Sequence, residues 1–191
     1  MVEPGEWKKK RDTIHHYDRL ANVYETLYRD EQNLKIRLAL EAIQVGSSDI
    51  VLDVGCGTGF LFDYIGNLVD LIVGVDMSPV LLKVAANRYK CQSNRSSVCL
   101  VRVDADYLPF SGKVFDKVFV FTLLQNIVDP NKALREMVRV ARSGSTIVVT
   151  GLKKSFSEEG FKNILIRAGL KSTVLISREQ AKDVIAVCRK V

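Results

Sequence analysis

"VLDVGCGTGF", Val51–Phe60, decides the fold. It opens with a short apolar run that lacks strict alternation, the texture of a strand buried on both faces. Gly55, Gly57 and Gly59 then occupy every second position, and a helical stretch follows. Glycine lets the backbone turn tightly and lets a ligand lie against bare main chain. In open α/β sheets such ligands bind outside the carboxyl ends of the strands. A dinucleotide fingerprint, GxGxxG, needs glycine at position 60, where this chain has Phe60. The loop therefore points to a ligand other than NAD.

The strand texture recurs outward from this loop. "LIVGVD", "VCLVRVD", "FDKVFVFT" and "STIVVTG" repeat it, separated by helical stretches over Gly59–Leu68, Pro79–Tyr89 and Pro130–Ala141. Pro79 and Pro130 suit first helical turns, with Ser78 and Asp129 as N-caps. Strand alternating with helix means a parallel sheet covered on both faces. A helix over Ser157–Ala168 and two short strands, Leu170–Ile176 and Asp183–Arg189, complete the pattern. The short link "SREQAK" makes these last strands antiparallel neighbours. Upstream, the spacing of Leu20, Val23, Tyr24, Leu27 and Tyr28 predicts helix, and the Asp12–Val45 region divides in two near Asp30. The polar, Lys/Arg-rich residues 1–11 read as a mobile arm. The expected organisation is thus a basic arm (1–11) and one domain (12–191), with N-terminal helices over 12–46 and an α/β core over 47–191.

Composition sets limits. A chain of 191 residues with 47% hydrophobic content forms one sizeable core. No apolar run reaches the roughly 20 residues of a membrane span, and "MVEPGEWKKKRD" lacks the apolar stretch of a secretory signal. Cys56, Cys91, Cys99 and Cys188 show no CxxC pairing, so no metal site is expected, and a reducing cytoplasm fits. The net charge of +6 is compatible with a polyanionic partner.

Four segments in register give a family likeness. "VLDVGCGTG", "VGVDMS", "DADYLPF" and "FDKVFVFTLLQN" follow the order and spacing of the class I S-adenosylmethionine-dependent methyltransferases, and the chain resembles that family most over Val51–Gly151. The resemblance implies a Rossmann-like fold with a seven-stranded, mostly parallel sheet, an antiparallel last strand and helices on both faces. It implies S-adenosyl-L-methionine as cofactor. Asp53, Gly55 and Gly57 would cradle its methionine end, with Cys56 a small filler and Gly59 closing the loop. Asp76 would hold the ribose diol, Met77 pack on the adenine, and Asp104 and Ala105 meet the adenine edge. Thr122 and Leu123, at the end of strand four, would line the same cavity. "YDRLANVYETLYRDEQNLK" further resembles the start of small archaeal-type RNA-modifying methyltransferases, which would put Tyr17 near the methionine end.

In this family the end of strand four lies beside the transferred methyl, so Leu124, Gln125 and Asn126 are the candidate catalytic residues. Either the two amides hold a heterocycle edge or exocyclic amine, or they only finish a strand before the Asp129 cap. Pyrimidine carbon-5 chemistry needs a cysteine nucleophile, and none falls at the ends of strands four or five. A hydroxyl acceptor calls for a base; the histidines, His15 and His16, lie in the N-terminal region, where an exposed pair at a helix start is the plainer reading. The chain has no long insertion after strands four or five to serve as a lid. A macromolecule would then supply the missing wall. Lys8, Lys9, Lys10, Arg11, Lys153 and Lys154 would meet its phosphates. Tyr28 and Phe156 would stack on a base, and Glu31 and Gln32 approach the pocket from the other side. The leading expectation is methylation of a base, at an exocyclic amine such as that of cytosine, in ribosomal or transfer RNA. The alternatives are a small-molecule or protein methyltransferase and a non-catalytic activator subunit. A small zinc-binding activator protein is a candidate partner.

Overall fold

The computed structural model describes residues 4–90, 97–170 and 172–191. Two helices, α1 (Pro4–Leu20) and α2 (Tyr24–Glu41), precede an alternating series. The series runs β1 (Ile50–Val54), α3 (Phe62–Ile65), β2 (Leu71–Asp76), α4 (Pro79–Lys90), β3 (Ser97–Arg102), β4 (Phe115–Val120), α5 (Pro130–Val140), β5 (Ala141–Leu152), α6 (Glu158–Arg167), β6 (Ser172–Ser177) and β7 (Asp183–Arg189). The sheet order is β3-β2-β1-β4-β5-β7-β6. Six strands run parallel, and β7 pairs antiparallel with both β5 and β6. This is the expected Rossmann-like architecture, including the reversed last strand.

The central strands β1, β2 and β4 bury both faces because successive side chains enter opposite cores, whereas the edge strand β3 stays partly exposed. Val118 and Val120 of β4 pack with Leu134 and Met137 of α5 and with Phe161 and Leu165 of α6. Phe119, between them in sequence, joins Ile36 of α2, Phe62 of α3 and Ala85 of α4 on the other face. The expected caps form: Ser78 Oγ accepts from the Leu81 amide at 3.0 Å, and Asp129 Oδ1 accepts from Asn131 and Lys132.

The boundaries depart from expectation in four places. Residues read as a mobile arm are helical from Pro4, because Lys10 finds carboxylate partners far away in the sequence. The helix break falls at 21–23, not near Asp30, which lies inside α2. The helix after the glycine loop shrinks to one turn, Phe62–Ile65. Strand four ends at Val120, and Leu124–Asn126 form a 3-10 turn. Cys91 lies outside the described residues.

Candidate functional site

The chain leaves β1 in both directions across the sheet, to β2 and to β4. That is a topological switch point, and the crevice at the carboxyl ends of β1 and β4 is where such sheets bind ligands. At the end of β1 the amides of Gly55 and Cys56 donate to Val75 O at 2.8 and 3.0 Å, which folds the loop back over β2. Gly55 has φ +72, and a Cβ there would come 3.0 Å from the Leu123 side chain. Gly57, at φ +54, faces open space. Both line the cavity, whereas Gly59 sits against Phe62, where a Cβ would approach to 2.6 Å, and serves packing. Cys56 is buried behind the loop with Gly74 and stays a filler.

Two carboxylates flank the glycine loop, Asp76 in the cavity lining and Asp53 buried behind the loop, and no cation among the described residues pairs with either. Asp53 is 3% exposed, and burial, with the charge of Asp76 nearby, pushes its carboxyl up to about 8. Burial also raises Asp76, although amides of Ser78 and Gly57 donate to it at 2.8 and 3.0 Å. An unneutralised acid pair beside a bare glycine loop suits a cationic ligand with hydroxyl groups.

The far wall is α1. Its Lys10 is 7% exposed, pairs with Glu6 one turn earlier on the same helix (2.9 Å) and reaches across to Asp104 (2.8 Å) and Asp106. Burial alone would lower the ammonium; the hydrogen bonds to Asp104, Asp106 and Glu6 win, and Lys10 is held above its usual range. Lys10→Met would strand Asp104 and the buried Asp106. It is expected to lower unfolding free energy by about 1–3 kcal/mol, read from urea denaturation at constant slope.

At the opposite wall the end of β4 turns through Thr122, which holds φ +55. Positive φ is a strained state for a β-branched residue and costs about 1–3 kcal/mol. The following 3-10 turn brings Asn126 to the cavity, where its Nδ2 donates to Tyr17 Oη at 2.9 Å and to Thr122 O at 3.0 Å. Burial raises the Tyr17 phenol, so it stays protonated at neutral pH. A second, open groove begins here. It shares Thr13, Tyr17 and Asn126 with the first cavity and runs outward past Lys8, Lys9 and His16.

Residues 52–149 match the methyltransferase domain family. The chain belongs to that family. Over 143 residues it is 30% identical to the uncharacterized protein MJ1252 of Methanocaldococcus jannaschii, covering 75% of this chain and 53% of the relative. It is also 30% identical over 146 residues to demethylmenaquinone methyltransferase of Thermobifida fusca, covering 74% and 61%. The chain thus spans little more than half the length of these curated relatives. A SAM-dependent methyltransferase structure from Aquifex aeolicus has the same fold, with TM-score 0.68, 20% identity and coverage of 80% and 87%. So does a chain from the complex between the Haloferax volcanii Trm112 methyltransferase activator and a methyltransferase, with TM-score 0.75, 17% identity and coverage of 91% and 96%.

The methyltransferase domain's cofactor is S-adenosylmethionine, and the cavity fits it. Gly55, Gly57, Asp76, Met77, Asp104, Ala105, Tyr17, Thr122 and Leu123 line it, and Asp53 lies buried behind the loop. Its sulfonium and ammonium suit the unneutralised pair Asp53 and Asp76. Asp76→Ala is expected to weaken S-adenosylhomocysteine binding by about tenfold to a hundredfold, the worth of a charge-assisted hydrogen bond, as read by calorimetry.

Several expected site residues belong elsewhere. Leu124 is fully buried in the core beneath α5 and does not reach the cavity. Gln125 does not line it either, and its Oε1 is buried without a hydrogen-bond partner among the described residues. The 3-10 turn explains both, since it rotates successive side chains away from each other. Tyr28 packs on Tyr24 at 4.8 Å between ring centres. Glu31 binds Lys35 and Lys182. Gln32 is buried but bonds Thr122, so it touches the site from beneath. Lys153 donates to Arg178 O, Phe156 packs on Phe161, and Lys154 is exposed. None of the three lines the cavity or the groove that meets it. The wall that no insertion after β4 or β5 supplies comes from α1, whose Lys10, Thr13, Ile14 and Tyr17 cover the cavity.

Lys10, Thr13, Ile14 and Phe121 also line the cavity, a place that no sequence pattern assigns them. Phe121 continues an apolar strand, and Thr13 and Ile14 carry no signal. Lys10 stands in a run of like charges, and nothing in that run marks one lysine as buried.

Proposed function

We propose that the chain is an S-adenosylmethionine-dependent methyltransferase that modifies a base in RNA. The observation that carries this is the groove shared at Tyr17 and Asn126, flanked by Lys8, Lys9 and His16 with one acid, Asp12, among them. It joins the cofactor cavity to solvent through polar, hydrogen-bonding groups, and its outer part bears two ammonium groups able to meet phosphates. When bound, S-adenosylmethionine supplies an electrophilic methyl on a positively charged sulfur. The chain's own contribution is positional. With both Nδ2 hydrogens engaged by Tyr17 and Thr122, Asn126 presents its Oδ1 to accept from an amine N–H of the base. α1 excludes water from the cavity. Lys10, expected among the phosphate-binding groups, faces inward instead.

One observation favours a second reading, a small-molecule acceptor. The N-terminal helices form the lid that a small substrate requires, and the relatives include demethylmenaquinone and malonyl-[acyl-carrier protein] methyltransferases. The Haloferax complex supports adding an activator subunit to either reading.

The test is mass-spectrometric nucleoside analysis of ribosomal and transfer RNA from cells lacking the protein. A single methylated nucleoside is expected to disappear. An unchanged profile would sink the RNA reading and leave the small-molecule one.

A further inference from the structure

The largest fully buried side chain among the described residues is a lysine. Lys35 of α2 is 0% exposed, and its Nζ donates to Glu31 Oε1 at 3.0 Å and to Thr122 Oγ1 at 2.7 Å. Asp183 Oδ2 lies 2.9 Å from the same nitrogen, an ion pair whose geometry falls short of a hydrogen bond. Gln32, one turn earlier, donates to the same threonine hydroxyl at 3.0 Å. Burying an ammonium this deeply is costly, and an apolar residue of similar volume would serve packing alone as well or better. The cluster converges on the one strained residue of the acceptor wall.

Thr122 is pinned at every polar atom. Its amide donates to Thr150 Oγ1 at 2.8 Å, its hydroxyl receives Lys35 and Gln32, and its carbonyl accepts from Asn126 Nδ2 at 3.0 Å. With the hydroxyl free, the ordinary φ region is favoured and the backbone must rotate to reach it. Rotation would carry the carbonyl away from Asn126, and with it the contact between Asn126 and Tyr17.

We propose that Lys35 and Gln32 are positioning residues that hold Thr122 in its left-handed conformation, so that its carbonyl fixes the Asn126 amide against Tyr17. They act through Thr122, and neither lines the cofactor cavity or the groove that meets it. The inference deepens the reading of Asn126 as the acceptor-side group and rests on it. The rival account is that Lys35 merely ties α2 to β7 through Asp183.

Side-chain amide NMR separates the two, because it reports Asn126 directly and needs no acceptor. In Lys35→Met and in Thr122→Val, hydrogen exchange of the Asn126 Nδ2 protons is expected to rise at least about tenfold, the loss of one net hydrogen bond. Thr122→Val leaves the pair of Lys35 with Asp183 intact, so it decides the matter if Lys35→Met fails to fold. Glycine adopts positive φ without strain, so adding Thr122→Gly to Lys35→Met is expected to restore the Asn126 signals. Asn126 signals and exchange unchanged in Thr122→Val would overturn the proposal, as would failure of the glycine to rescue Lys35→Met. S-adenosylhomocysteine titration runs alongside. If the wild type does not bind it, the methyltransferase reading fails, whereas altered Asn126 exchange with intact binding supports the positioning role.

Discussion

Replacing Asn126 with alanine is expected to lower turnover by about 2–4 kcal/mol of transition-state stabilisation, roughly thirtyfold to a thousandfold, with cofactor affinity nearly unchanged. The split follows from the geometry. Most of the cofactor's expected contacts lie on the glycine loop and at the ends of β2 and β3, with Tyr17, Thr122 and Leu123 across from them, and Asn126 sits beyond these three at the mouth of the open groove. A group engaged mainly in the transition state reduces kcat and kcat/KM together. Gln125, its neighbour, serves as the control. It lies outside the cavity, so Gln125→Ala should leave turnover within about twofold, a change well under 1 kcal/mol. Asp129→Ala removes a helix cap that bonds two amides, and it should cost about 1 kcal/mol of stability and little specific activity. Equal losses from the Gln125 and Asn126 variants would mean that both act through folding of the 3-10 turn. The kinetic assay uses the RNA identified by nucleoside analysis.

The contrast between these two amides shows what a sequence can and cannot convey. The strands were legible because parallel strands buried on both faces are written as apolar runs, and the Ser78 and Asp129 caps because their chemistry is local. The glycine loop was legible because the spacing of Gly55 and Gly57 is itself the constraint. The turn after β4 was not. Phe121 to Leu124 continues the apolar run of β4, and only the positive φ of Thr122 ends the strand. That conformation is stabilised by Lys35 and Gln32, which lie 87 and 90 residues earlier. Polar residues buried in a distant network look like solvated ones in sequence, and for this reason "RDEQNLK" reads as a helix break. Lys10 misleads in the same way, since its carboxylate partners Asp104 and Asp106 are 94 and 96 residues away.

Asp53 carries the largest expected effect on stability. Its folded-state carboxyl titrates at about 8, against about 3.9 in an unfolded chain. A raised acid binds more protons folded than unfolded between those values. Its contribution to stability is therefore fully present below about pH 4 and is lost as pH rises through about 8. The difference between those two titration points corresponds to roughly 5–6 kcal/mol. Cofactor-free protein should thus lose stability steadily from about pH 4 to about pH 8, and Asp53→Asn should remove most of that slope. Asp76 and Asp106, whose carboxyls burial also raises, contribute to the slope that remains. The same proton links to ligand. At neutral pH the cofactor-free Asp53 is mostly protonated. An ammonium brought against the Asp53 and Asp76 pair favours its ionised form, so binding should release close to one proton. Calorimetry of S-adenosylhomocysteine in phosphate and in Tris reads this directly, because the observed enthalpy shifts by the buffer's ionisation heat for each proton released. In Asp53→Asn the two buffers should agree. Equal enthalpies in wild type would place the ligand's ammonium away from Asp53 and leave that carboxylate a buried acid of the glycine loop alone.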